Sequence, residues 1–268
     1  MSDFPPLSSS QLPKWSDLGE YLNFATSNLK ESPIPLALEA ADTALGLLVK
    51  SSAEPGNLRI VGLVNYAYSN WRSTVILTLI GATHQVPTVS RTTLEALLYA
   101  HLFSKEEKWL QCWVNRHASA KEASKFRNEG PKAARAALER RDQRLANEIK
   151  ELTDFFIDFG GYPNIGAIEN LSTYFSNPED RDGAFVVFAQ LENMQKRSET
   201  TIFIMQVAGI MFNILKVMWP QKYQLLAIET HEKRFRYLAQ VYVEEHRCRF
   251  RSSSLNHPAS NSAPPLPQ

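Results

Sequence analysis

Thirteen of the nineteen residues from Thr201 to Trp219 are Ile, Met, Phe, Val, Leu or Trp. A helix built from them must hide almost its whole circumference from water. Its length would permit a membrane span, but the polar residues are placed for something else. At about 100° per residue, Gln206, Gly209, Asn213 and Lys216 fall in one strip about 80° wide. The strip continues backward through Glu199, Ser198 and Gln195. A narrow polar stripe on an otherwise apolar helix describes the central helix of a bundle with one edge near water. A membrane span would have to bury those same polar groups in lipid, so a central core helix is expected here and a span is not favoured.

The rest of the chain supplies the helices to surround it. Proline and glycine punctuate long segments of helical period, rich in Ala, Leu, Glu, Lys and Arg. These predict helices near 15–30, 34–51, 57–84, 87–104, 105–128, 131–159, 181–218 and 220–250, with no alternating strand runs. The fold class expected is all-α, a bundle of about seven or eight helices. A single domain over 15–251 is expected between a disordered lead at 1–14 and a disordered Pro/Ser-rich tail at 252–268. The lead has no basic segment followed by an apolar stretch, so it does not read as a secretory signal.

The sharpest punctuation is Asn128-Glu129-Gly130-Pro131. Glycine suits the position after a helix and proline the first turn of the next. This predicts a long antiparallel helical hairpin projecting near 105–159. Its second arm carries Leu138, Leu145, Ile149, Leu152, Phe156 and Phe159 at coiled-coil spacing, interrupted by Asp142.

Net charge is +1, which gives no global pull toward nucleic acid. The segment from His231 to Arg251 is locally basic, with six Lys or Arg against three Glu and interleaved Phe235, Tyr237, Tyr242 and Phe250. Such a helix can touch phosphates, but the acids dilute it and a solvated face is the favoured reading. Cys112 and Cys248 read as free thiols in a reducing, cytoplasmic setting. No Glu-x-x-His pair of helices, zinc helix or nucleophile elbow is present, so neither a metal nor a cofactor is expected.

Two places could carry chemistry. Asn65, Ser69 and Arg72 share a helical face flanked by Leu58, Ile76 and Leu79, which suggests a buried arginine in need of a carboxylate. Arg91 and Glu95, spaced i, i+4 on the next helix, could join Asn65 and Arg72 in one buried network, with His101 further along. The competing reading is an ion-pair network that only fixes helix register. The second place is the loop Asp158-Phe159-Gly160-Gly161-Tyr162-Pro163-Asn164-Ile165-Gly166, where Tyr162 and Asn164 could meet a ligand or simply build a corner.

The run Arg91-Thr92-Thr93-Leu94-Glu95-Ala96-Leu97-Leu98-Tyr99, taken with the later Gly160-Gly161-Tyr162-Pro163-Asn164, resembles a family of uncharacterised bacterial helical proteins over roughly residues 30–220. The resemblance implies a histidine just before the Pro-Asn step, where this chain has Tyr162. The chain is also loosely similar to the helical domains of metal-independent ribonucleases from bacterial toxin and defence systems. Their signature sets histidine a short way after arginine on one helix. Here Arg91 and His101 lie ten positions apart, and Arg251 and His257 fall in the expected tail. The expected role is a non-enzymatic binding or interaction module, a possible homo-oligomer. The alternative is a ribonuclease-like enzyme using Arg91, Glu95 and His101.

Overall fold

In the computed structural model of the chain, residues 34–51, 58–158, 172–176, 184–188 and 194–255 are described, with Asn23, Thr26 and Ser27. They form nine helices: α1 (Leu36–Ser51), α2 (Leu58–Leu79), α3 (Val86–Lys105), α4 (Glu107–Asn115), α5 (Ala120–Glu139), α6 (Gln143–Phe156), α7 (Met194–Met218), α8 (Pro220–Leu225) and α9 (Ile228–Leu255). The fold is an all-α bundle.

The apolar segment takes the central place its composition demands. In α7, Ile204, Val207, Ala208, Ile210, Met211, Phe212, Ile214 and Leu215 are almost wholly buried. Against it pack α1, α2, α3 and α9. The polar stripe holds in part: Glu199, Gln206 and Lys216 are exposed, and Asn213 Oδ1 accepts a hydrogen bond from Arg236 of α9 at 2.9 Å, whereas Ser198 and Gly209 are buried. The stretch Arg197–Met218 is long and apolar enough to cross a membrane, yet 67% of its most apolar window, of mean hydropathy 1.7, is buried inside the bundle. One buried hydrogen bond ties α2 to this helix. Trp71 is 1% exposed, and its indole N–H donates to the Ile204 carbonyl at 3.1 Å, which satisfies the one polar atom of the ring.

Other expectations fail for local reasons. Gly130-Pro131 does not break the chain, because α5 runs through both. The turn comes at Arg140–Asp142, where Asp142 is no seam interruption but the N-cap of α6, its carboxylate accepting from Leu145 N–H at 2.9 Å. A second break precedes α5, where the Ser119 hydroxyl accepts from Glu122 N–H. The segment near 105–159 does not project. Leu138, Leu145, Ile149, Leu152 and Phe156 belong to the same core cluster as α1, α2 and α7. Phe159 lies outside the described residues.

The helix expected over 181–218 begins only at Met194. Before it, β1 (Ser172–Ser176) and β2 (Ala184–Phe188) form an antiparallel ribbon with Tyr174 opposite Val186. Their residues, STYFS and AFVVF, are aromatic and β-branched, and the sequence between them carries Asn177-Pro178 and Asp182-Gly183. That is a strand–turn–strand signal. The predicted 220–250 helix is two helices, separated at Ala227, whose φ is +50°. The second reaches Leu255, past the expected tail boundary at 252. The lead at 1–14 and the rest of the tail lie outside the described residues. So does the first expected helix, apart from Asn23, Thr26 and Ser27, which are helical or at its edge in the exposed set.

Candidate functional site

The buried Asn65–Arg72–Arg91–Glu95 network does not form. The buried stripe of α2 is Ile60, Val64, Ala67, Trp71, Thr74, Val75 and Thr78, so Asn65 and Arg72 face outward. Leu58 and Ile76, whose apolarity suggested burial, are 65% and 55% exposed. The Arg72 side chain is 60% exposed, with its Nε 3.2 Å from Asp42 of α1. Asp42 also accepts from the Tyr68 hydroxyl at 2.8 Å. Burial, then this bond to a carboxylate, push the Tyr68 pKa up to about 12. The cluster clamps α1 to α2 at the surface.

Arg91 and Glu95 do meet each other, Nε to Oε1 at 2.8 Å. His101 does not join them. It lies about 9 Å further along α3 than Glu95, at 1.5 Å per residue, and on another side of the helix. Its ring is 1% exposed, and neither nitrogen has a hydrogen-bond partner of good geometry. Burial holds its pKa below the usual histidine value, with Lys105, Arg140 and Arg141 pushing the same way and the Ala137 carbonyl opposing. Tyr162 and Asn164 lie outside the described residues.

What gathers around Glu95 instead is a groove of about 550 Å³ between α2, α3 and α4. Two helical stripes face each other across it. Arg59, Gly62, Leu63 and Tyr66 of α2 follow the i, i+3, i+4, i+7 spacing of one helix face. Thr92, Glu95, Ala96 and Tyr99 of α3 repeat the same spacing. Trp113 of α4 and Arg116, just after it, close one end. A smaller annex of about 140 Å³ adjoins, and Glu95 and Tyr99 line both spaces. The annex adds Arg91 from α3 and Arg135 and Pro131 from α5.

The floor is an aromatic cluster. Tyr99 stacks on Phe103 at 6.0 Å and tilts against Phe126 at 5.3 Å, while Trp113 meets Phe103 at 5.6 Å. Gly130 makes room for this. A Cβ there would stand 3.0 Å from the Phe126 ring, so the residue that resembled a helix stop is needed for close approach. Tyr66 differs from the other rings: it is 51% exposed and has no aromatic partner among the described residues. Gly62 opens the groove beside it, since a Cβ at that position would meet nothing within 4 Å.

The electrostatics are lopsided. Four guanidinium groups line groove and annex against the single carboxylate of Glu95, which Arg91 already pairs. Arg59 and Arg135 have no ion pair among the described residues, and Arg116 lies over the Trp113 ring at 4.9 Å. The Tyr99 hydroxyl senses the balance. Burial and Glu95 raise its pKa, while Arg116, Arg135 and Arg91 each pull it down.

The sequence reading missed Arg59, Tyr66, Trp113, Arg116 and Arg135. The two matching stripes were legible, but nothing in one helix says which other helix it faces. On α9, Glu232 is buried and accepts from the Tyr223 hydroxyl and from Arg236, so part of the basic segment is spent on holding the helix in place. Cys112 is a buried free thiol. No cluster of three or more potential metal ligands occurs among the described residues. Compared with known protein families, curated proteins and solved structures, the chain gives no match.

Proposed function

We propose that this protein is a non-enzymatic binding module whose ligand occupies the groove between α2, α3 and α4. The ligand is anionic and has a planar face. The observation that carries this reading is the convergence of Arg59, Arg91, Arg116 and Arg135 on one concave surface with the exposed Tyr66 ring and a single, already paired acid. Guanidinium groups hold anions and stack on planes. A groove of this size lies within the usual range of small-molecule sites. For acid–base chemistry the same surface is poorly equipped. Histidine is absent from the described lining, and Glu95 is already engaged by Arg91.

The test uses 8-anilinonaphthalene-1-sulfonate, a planar aromatic anion that fluoresces when bound. An Arg59→Ala, Arg116→Ala double variant is expected to bind it at least about tenfold more weakly than wild type, the scale of one lost charge-assisted contact. Equal binding by both proteins overturns the groove as the ligand site. Incubation of the wild type with RNA in the absence of metal is expected to leave the RNA intact. Cleavage that disappears in a folded Arg91→Ala, Glu95→Ala variant would overturn the non-enzymatic half of the reading.

A further inference from the structure

We propose that the occupant of the groove is a nucleoside phosphate, an inference that rests on the groove being the ligand site. The division of groups between the groove and its annex carries it. The main groove offers a bare ring face at Tyr66 with open space over Gly62. The annex offers Arg91 and Arg135. Glu95 lines both and stands where they join. The ring face with Arg59 and Arg116 near it, the carboxylate shared by both spaces, and the two annex cations complement a nucleobase, a ribose and a phosphate.

The carboxylate in the middle discriminates. Its Oε1 accepts from Arg91 Nε at 2.8 Å, and no hydrogen bond from the described residues reaches Oε2. With its side chain 41% exposed, Glu95 can accept hydrogen bonds from the ribose diol, a pair of neutral donors. A ligand without the diol brings no donor to that position. The base stacks on Tyr66, a contact that tolerates any base because every base has a π-face. The phosphate lies between Arg91 and Arg135, where guanidinium geometry suits its oxygens.

The binding experiment titrates the protein with AMP, GMP, CMP and UMP by calorimetry. The 2′,3′-dideoxy form of the best binder and a hexaribonucleotide with a 5′-phosphate follow. At least one mononucleotide is expected to bind. Gly62→Leu, whose Cβ meets no atom within 4 Å and whose side chain takes up groove space, is expected to weaken it about tenfold or more, and Arg135→Ala about tenfold. Glu95→Ala should weaken the ribonucleotide but leave the dideoxy form unchanged, a coupling that a general loss of fold would not produce. Fluorescence-probe binding in the groove without binding of any nucleotide overturns this inference and leaves the site standing. Nucleotide binding indifferent to Gly62→Leu and Glu95→Ala overturns it too. Failure of both probe and nucleotides overturns the site itself. Affinity for the hexamer at least about tenfold above the mononucleotide assigns the bound nucleotide to the end of a strand, and equal affinity to a free nucleotide.

Discussion

Gly46 and Gly62 both sit inside helices, and replacing each with alanine should move stability in opposite directions. The common term is helix propensity, which favours alanine over glycine by about 1 kcal/mol in a helix interior. At Gly62 nothing opposes it, because the new Cβ meets no atom within 4 Å. Gly62→Ala should therefore stabilise by about 1 kcal/mol and raise Tm by about 2–4 °C for a chain of this size. At Gly46 the new Cβ would stand 2.8 Å from the Tyr68 hydroxyl. That hydroxyl is fixed by its bond to Asp42, and the ring stacks on Trp71. Pushing it aside loses a hydrogen bond to a charged group, roughly 1.5–3 kcal/mol, taken at the low end because Asp42 is 40% exposed. Part of the ring packing goes with it. Against the propensity gain, Gly46→Ala should come out destabilising by about 1 kcal/mol. Thermal and urea melts of both variants measure this. A Gly46→Ala protein as stable as Gly62→Ala would refute the Asp42–Tyr68 clamp, and an unchanged or lowered Tm for Gly62→Ala would refute the open space that the binding proposal uses.

Glu232→Ala strands the buried Tyr223 hydroxyl and frees Arg236. Breaking a buried pair costs about 3–5 kcal/mol, and because Arg236 is 47% exposed the urea midpoint should report a loss nearer 2–3 kcal/mol. His101 has a lowered pKa in the folded protein, so as pH falls below about 6.5 the unfolded chain binds the proton first. Wild type should lose stability between pH 7.5 and 5.5 with a slope of at most about 1.4 kcal/mol per unit from this residue, and His101→Leu should show a shallower slope; identical slopes would mean that the histidine titrates freely. Pro131 is exposed inside α5 and lacks the N–H that alanine would supply, so Pro131→Ala should raise the urea midpoint by roughly 1–3 kcal/mol of stability. A fall in the midpoint would show that contacts of the Pro131 ring outweigh the missing N–H.

Where the sequence reading succeeded, the signal was carried within one helix. The apolar run of α7 specifies a helix surrounded on most sides, and three residues that the periodicity puts on its polar strip, Glu199, Gln206 and Lys216, are exposed, while Ser198 and Gly209 on the same strip are buried. It failed where local cues have two meanings. Gly130-Pro131 reads as a stop, yet the helix continues because Gly130 is wanted for contact with Phe126 rather than for a turn. Asp142 reads as a flaw in a seam, yet its carboxylate caps a helix. Arg72 reads as buried because its neighbours are apolar, but two of them, Leu58 and Ile76, are themselves on the surface, and only Leu79 is buried.

Helical period, composition and the pairing of Arg91 with Glu95 are properties of neighbours along the chain, and the sequence alone determined them: an all-α bundle around α7, with that ion pair on α3. Which face of α2 meets which face of α3, and therefore that Arg59 and Tyr66 stand across from Glu95 and Tyr99 with Arg116 and Arg135 at either end, was decided only in the tertiary structure. The physical reason is that a helix presents several partly apolar faces of similar hydrophobic energy. The choice among them is made by steric fit between whole helices, such as Tyr99 against Phe126 and Trp71 against the Ile204 carbonyl, and no segment carries that information by itself.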